Sequence, residues 1–401
     1  PRRTTFTYNG MNQVSSKKSP LGNTTNYSYD AMNRLQTETN PLGYSTTYRY
    51  DANGKQIAVS NGLGETTTSV YDGNQRLIAT IDPMGAQTTY EYSASGQQIR
   101  VVDPIGRVTT TVYDDRDNPI CTISPLGLRT TRVYDAAGRA YVTIDPLGAR
   151  TTLSLDSKGR TISSTDPLGR TTSYVYSSEG LLAETSRPDG TSVASNYDSL
   201  SRLVATIDPL GHVTSYLYDD AGRRTVQIDP LGGRSTTIYN AEGEAIVQID
   251  PLGRRTTTTY DNDGRAIAVT NPLGLVTTTV YDAAGQAIAT VNPLGERTTT
   301  AYDAAGRVIS VTNPAGETTQ TVYDKAGRAI MTINPLGAIT TTVYNLAGEV
   351  IATINPLGFR SETTYDLNGR TSTTRDALGQ TTVMFYDAAS RTIAVMNPMS
   401  Y

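Results

Sequence analysis

The 401-residue sequence has one cysteine, one histidine, no tryptophan and three phenylalanines. A lone Cys121 excludes an intrachain disulfide framework and a cysteine-built zinc cluster, and a lone His212 excludes any site that needs two imidazoles. No stretch approaches the roughly 18 consecutive apolar residues of a membrane-spanning helix. The opening Pro1-Arg2-Arg3-Thr4 offers neither an initiator methionine nor a secretory-signal core, so the chain reads as a section of something longer. An excess of either charge is also missing. With 34 basic against 38 acidic residues the net charge is −4, without the electrostatic footprint of a nucleic-acid or anionic-membrane binder. In place of these the chain has 26 Tyr, 35 Gly and 19 Pro, which is more punctuation than helices tolerate and argues against an α-rich enzyme.

Self-similarity dominates what is there. Pro-Leu-Gly stands at 20–22, 41–43, 125–127 and 146–148 and onward to 356–358, always at multiples of 21 residues. The proline register running from 20 to 398 has nineteen sites, and only Gly62 and Ala377 depart from it. Nine residues after each proline lies a second register, Tyr8 to Tyr386, in which Leu155 is the one exception. Asp usually follows the tyrosine, and Gly-Arg completes the pattern, as at Gly138-Arg139, Gly306-Arg307 and Gly327-Arg328. No insertion or deletion interrupts the count, so 1–401 reads as one continuous array of about nineteen repeats.

Each repeat holds two turn signals separated by two β-prone runs, such as Ala329-Ile-Met-Thr-Ile333 and Thr340-Thr-Thr-Val-Tyr344. Asn334-Pro335-Leu336-Gly337 places proline where φ is pre-set, asparagine where its side chain can bond the backbone, and glycine where φ can be positive. Asp303-Ala304-Ala305-Gly306 suits a type I turn followed by a bulge. The predicted fold class is all-β: 21-residue tandem repeats of antiparallel hairpins forming a meander, coiled into a long spiral sheet or fibre, with a β-solenoid as the alternative. Equal and fully paired strands require loops that sum to an odd number. Strands of about seven residues are therefore expected, with a three-residue Ala-Ala-Gly loop and a four-residue Pro-Leu-Gly-x loop. In that register Tyr344, Thr342 and Thr340 share a face with Val350, Ala352 and Ile354, while Val343 and Thr341 share the other with Ile351 and Thr353. Both faces are partly apolar, so each is expected to be covered in part by coiling or by neighbouring chains. A single repeat buries too little to offset its ordering entropy, and its stability must come from its neighbours.

The chemistry-bearing residues read as structural. His212 stands three residues after Pro209, in a register also filled by Asn23, Glu65, Arg107, Leu275 and Phe359, as an exposed loop side chain would, with no Ser or Asp pairing indicated. Cys121 shares its register with Ala79, Val142, Ala289 and Met331 and reads as a small buried filler. Asp114-Asp115-Arg116-Asp117-Asn118 lacks the glycine and distal glutamate of a calcium loop and reads as a divergent turn. Asp145, Asp166, Asp229 and Asp250 exchange with Asn271, Asn292 and Asn334, which suits a side chain bonding the backbone of a turn and not a catalytic carboxylate. Arg139, Arg307 and Arg328 follow Asp135, Asp303 and Asp324 by four residues, so an ion pair is expected to close each turn along one edge.

The positions expected to carry the repeat are Tyr281, Asp282, Gly285, Tyr302, Asp303, Gly306, Arg307, Tyr323, Asp324, Gly327 and Arg328, with Pro293, Gly295, Pro335 and Gly337 in the other turn. Each tyrosine ring is expected to be buried against the next strand. No catalytic residue, cofactor or metal site is expected, and no enzyme, because the array offers near-copies of every group where catalysis needs an irregular site.

Tyr-Asp-x-x-Gly-Arg recurring about every twenty residues is similar to the YD repeats of the Rhs family, and the similarity extends over the whole chain. The resemblance implies a long coiled β-sheet, as in the shells of Rhs toxins, toxin-complex cocoons and the extracellular YD shells of teneurins. Asp208-Pro209-Leu210-Gly211 looks like a fragment of the motif near the self-cleaving end of Rhs toxins, but its repetition along the chain makes it a turn. The function expected is a structural fibre or filament scaffold, extracellular or on the cell surface. The alternatives are the wall of an Rhs-type toxin-encapsulating shell and a cell-surface adhesion or glycan-binding module. The partners expected are further repeats of the same chain or neighbouring copies, with glycan or a cell surface also open, and neither nucleic acid nor a membrane span.

Overall fold

The β-branched and tyrosine-rich runs form strands throughout, and the turns fall where proline, glycine and Asx residues interrupt them. The computed structural model describes residues 2–398, and among these it contains strands and turns without a helix. Residue 1 and residues 399–401 of the expected array lie outside the described residues. Apart from the four-residue first strand Thr5–Tyr8, each repeat supplies one six-residue and one five-residue strand, such as Thr318–Tyr323 and Ala329–Ile333. Strands consecutive in sequence pair antiparallel, as Thr318–Tyr323 does with Ala329–Ile333 and that strand with Ile339–Tyr344. The meander is therefore the architecture, and the solenoid alternative is overturned: sequence neighbours are sheet neighbours.

Both loops turn out to have three residues. Asp303 N–H bonds Arg307 O and Gly306 N–H bonds Asp303 O, and Asn292, Gly295 and Glu296 repeat the same two bonds in the Pro-Leu-Gly turn. The four-residue Pro-Leu-Gly-x loop is thus corrected. The odd residue of the period sits instead in a β-bulge beside the tyrosine. Val343 pairs with Ala352 but Tyr344 pairs with Val350, so Ile351 is the extra residue. This bulge also corrects the faces. Ala352 and Ile354 share a side with Val343 and Thr341, not with Tyr344 and Thr342, because one inserted residue exchanges every later side chain between faces.

The described residues group into two compact units of this same architecture. One comprises the chain up to Tyr113, Thr122–Arg129 and the chain from Thr279, and the other comprises Asp114–Cys121 and Thr130–Thr278. Within each unit the core is formed by small side chains of one repeat register, with Ala86 buried beside a turn of the first unit. Ala58, Ala79, Cys121, Val142, Val226, Val247, Ala289 and Ala352 are buried, and all stand at the middle of a five-residue strand, 21 residues or a multiple of 21 apart. Longer neighbours shade them from both sides: Ala79 lies between Val70 and Thr89, and Val247 between Ile238 and Thr257. Val70 and Ile238 themselves remain exposed. The ribbon is therefore held chiefly by strand pairing and by its edges.

Candidate functional site: the Tyr-Asp turn edge

Asp303 follows the strand Arg297–Tyr302 and organises its own turn. Its Oδ1 accepts the amides of Ala305 (2.9 Å) and Arg307 (3.0 Å), and its Oδ2 accepts Arg307 Nε at 2.7 Å. Burial opposes charge on this carboxyl, but the amide and guanidinium of Arg307 outweigh it and hold the group below its ordinary pKa. Gly306 lies at φ 80°, in the left-handed region the turn requires. Asn33, Gln75 and Ser201 adopt the same conformation at the equivalent position, at φ 63°.

The same arginine reaches the next repeat. Arg307 Nη1 donates to Asp324 O at 3.3 Å, and its guanidinium lies 4.8 Å from the centre of the Tyr323 ring. Tyr323 in turn sends its hydroxyl back to Val308 O, beside that arginine, at 2.9 Å. Arg328 repeats the arrangement with Asn345 O, the Tyr344 ring and, through Tyr344, Ala329 O. Tyrosine reaches back and arginine reaches forward, so the Tyr-Asp-x-x-Gly-Arg spacing is the spacing of an interlock between consecutive hairpins. Cation–π stacking contributes about 0.5–1 kcal/mol at exposed sites and more where it is desolvated.

The expected repeat positions occupy this edge and its opposite. Tyr281 and Tyr302 end their strands, and Asp282 Oδ1 accepts the amide of Gln286 at 2.9 Å. Gly285 and Gly327 take positive φ in Tyr-Asp turns, and Gly295 and Gly337 do so in Pro-Leu-Gly turns with Pro293 and Pro335. The tyrosines are half-buried, because the hydroxyl end stays at the edge where its carbonyl acceptor lies. Asp324 and Asp135 form the expected ion pairs with Arg328 and Arg139, each at 2.7 Å.

The remaining candidates fall into place on the same plan. His212 Nδ1 lies 2.9 Å from Asp208 Oδ2, which corrects the expectation of no carboxylate partner. The histidine occupies the place that Arg254 takes beside Asp250, and both His212 and Asp208 are exposed. Cys121 is buried. Asp114 Oδ1 accepts the amides of Arg116 and Asn118, committing it to its own turn.

A feature that the repeat pattern alone does not reveal joins the two turn edges within the first unit. The Pro-Leu-Gly edge of its early strip meets the Tyr-Asp edge of a strip 242 residues later. Arg107 Nη1 lies 2.6 Å from Glu349 Oε1, Arg307 Nη1 lies 3.3 Å from Glu65 Oε2, and Leu126 N–H donates to Asn368 Oδ1 at 3.2 Å. All four charged side chains are mostly covered. Desolvation works against the Arg107 charge, yet Glu349 and Asp103 more than offset it and raise its pKa. Gly62 packs against Ala304, where a Cβ would strike the carbonyl oxygen. Shallow clefts of about 300 Å³ and about 400 Å³ follow this seam, lined in part by Gly62 and Ala304 and by Arg107 and Asn368. The sequence carries two signals for it: glutamate replaces the usual arginine at 349, where the partner is Arg107, and glycine replaces the usual proline at 62.

A single-layer antiparallel ribbon locked by Tyr-Asp turns defines a repeat scaffold. Residues 156–192, 197–234, 239–279 and 281–318 match the RHS Repeat model, and residues 2–150 match the Teneurin YD-shell model. The chain belongs to the YD-repeat (Rhs-repeat) family. None of the curated proteins matches it. Among solved structures it is similar to the TcdB2-TccC3-TEV crystal structure, at 15% identity and TM-score 0.58, over 98% of this chain and 28% of that one. It is likewise similar to the Photorhabdus luminescens Tc holotoxin pore, at 14% identity and TM-score 0.58, over 98% and 27%. At such identity the likeness is one of fold. The chain spans little more than a quarter of the length of these structures. Among the described residues, no helix is long and apolar enough to cross a membrane.

Proposed function

We propose that this chain is a structural scaffold that works outside the cell or on its surface, carries no active site of its own, and extends as a fibre. The observation that carries this reading is the commitment of the repeat's reactive groups to the ribbon itself. Asp303, Arg307 and Tyr323 are all engaged in closing turns and joining hairpins, and the same holds for the copies at Asp324, Arg328 and Tyr344. A catalytic site needs a carboxylate or hydroxyl aimed at a substrate, whereas these are aimed at backbone and at one another. The charge-matched seam adds what a wall requires, a specific join between neighbouring strips.

A second reading is a shell that encloses another polypeptide, and the fold shared with the Tc structures and the match to the YD-shell model favour it. Electron microscopy of the native gene product separates the two. Filaments support the fibre, and sealed ovoid particles with internal density support the shell. Measurable turnover that depends on one particular repeat would overturn the scaffold reading itself.

A further inference from the structure

The seam uses one Pro-Leu-Gly edge and one Tyr-Asp edge of the first unit and leaves one of each unused. On the early strip, where the seam covers the Pro-Leu-Gly turns, Leu42, Leu63 and Leu126 are 39–46% exposed. On the late strip the equivalent Leu294, Leu336, Leu357 and Leu378 are 81–91% exposed. The Tyr-Asp turns show the converse. Ala304, Ala305 and Asn368 on the late strip are half-buried, whereas residues 31–33, 52–54 and 73–75 on the early strip are exposed.

We infer that the exposed Pro-Leu-Gly edge at Leu294–Leu378 docks the exposed Tyr-Asp edge at Asp30–Arg76 of a second copy of this chain, reproducing between molecules the seam made within one. Charge and geometry favour this occupant. At the seam, Asn61 Nδ2 holds Glu65 Oε2 at 2.7 Å and Arg307 of a Tyr-Asp turn lies against that carboxylate. On the exposed edge, Asn292 holds Glu296 at 2.6 Å and Asn313 holds Glu317 at 2.7 Å in the same way. Among the described residues, no cation bonds either one. The exposed Tyr-Asp turns present Arg34, Lys55 and Arg76, spaced 21 residues apart as Glu296 and Glu317 are. Four leucines beside two pre-oriented glutamates thus face an edge of matched repeat in which Arg34 and Arg76 pair with Asp30 and Asp72, as Arg307 at the seam pairs with Asp303 while it meets Glu65. Because the two edges differ, the contact is heterologous: each copy docked leaves a free edge for another, and the assembly grows by addition.

This inference rests on the scaffold reading and names its partner. Analytical ultracentrifugation of the full chain across a concentration series tests it. One variant converts the glutamate turns to the Asp-x-x-x-Arg type already present at Asp250 and Arg254, by Asn292→Asp, Glu296→Arg, Asn313→Asp and Glu317→Arg. A second replaces Leu294, Leu336, Leu357 and Leu378 with serine, at positions exposed enough to leave the fold intact. The wild type is expected to form dimers and longer species as concentration rises, and each variant to associate about a hundredfold more weakly, since like charges across an interface are strongly disfavoured. Circular dichroism checks that both variants keep the strand signal. A wild type that stays single at every concentration, or assembly unchanged in both variants, overturns the docking proposal. Neither result touches the scaffold reading, which would fail instead on repeat-dependent turnover.

Discussion

Gly62 stands against Ala304 so closely that a Cβ on the glycine would meet the alanine's carbonyl oxygen. Almost every other site of that register is proline, and the exception falls where another strip of the same unit crosses it. The seam therefore dictates the residue. Gly62→Pro is expected to destabilise the chain by about 1–3 kcal/mol, the usual effect of overpacking. A matched change on the open edge, Pro335→Gly, loses only the turn's pre-set φ, about 0.4–1 kcal/mol. Urea unfolding of the two variants checks this, and equal destabilisation would mean that the seam does not constrain position 62.

Gly306 separates turn geometry from turn chemistry. Its φ is 80°, which a β-branched side chain cannot adopt without strain. Gly306→Val is expected to lower stability by more than about 1 kcal/mol. Gly306→Asn is expected to be milder, since Asn33 already occupies the equivalent place. His212→Gln should leave the unfolding midpoint unchanged, because the histidine and its carboxylate partner are both exposed. Equal tolerance of Val at 306 and Gln at 212 would contradict the turn assignment.

The extent to which all this was legible differs from element to element. The turn at Asp303 was legible with its three-residue loop, and the one at Asn334 was legible as a turn but not in its length, because local backbone chemistry demands those residue types while the loop count depends on where the bulge falls. The faces of the strand Val350–Ile354 were not. Its bulge leaves no mark such as an inserted glycine, and Ile351 is as β-prone as its neighbours, so strict alternation puts Ala352 on the side opposite to the one it occupies. The ion pair of Asp303 with Arg307 followed from a four-residue spacing, but the reach of Arg307 to Asp324 O and to Glu65 depends on strand stagger and on where distant strips meet. Spacing within one repeat carries neither.

The interlock between hairpins should behave as a coupled pair. Tyr323→Phe removes the hydroxyl bond to Val308 O and is expected to cost about 0.5–1.5 kcal/mol. Arg307→Ala removes the stack on that ring together with the fork on Asp303. Residues in contact deviate from additivity by about 0.5–3 kcal/mol, so a double-mutant cycle of Tyr323→Leu with Arg307→Ala is expected to show positive coupling. Strict additivity would indicate that ring and guanidinium are neighbours without interacting.

Charge exchange probes the seam directly. Arg107→Glu and Glu349→Arg each place like charges together in a mostly covered contact and are expected to cost about 1.5–3 kcal/mol, the range for hydrogen bonds to charged groups. The double exchange restores opposite signs between 107 and 349 but leaves a carboxylate at 107 beside Asp103, so it should recover part of that loss and not all of it. Thermal melts of the four proteins give the answer, and a double variant no better than the worse single would place the stabilisation elsewhere.

Acid should loosen the array through its Asp turns. Asp261, Asp303 and Asp366 are each held below their ordinary pKa, burial opposing the charge while the amide and guanidinium of the following arginine outweigh it. A carboxyl whose folded pKa is depressed binds protons more readily when unfolded, so its stabilisation is complete above the ordinary value of about 3.9 and disappears as pH falls through the lower folded value. The melting temperature is therefore expected to be level above about pH 5 and to fall progressively below about pH 4. Asn345 shows that the backbone bonds of the turn survive without a titrating group, its Oδ1 accepting the Glu349 amide at 3.0 Å. Replacing Asp261, Asp303 and Asp366 together with asparagine should accordingly lower the melting temperature at neutral pH and flatten its acid decline. An acid limb as steep as that of the wild type would assign the transition to other carboxylates.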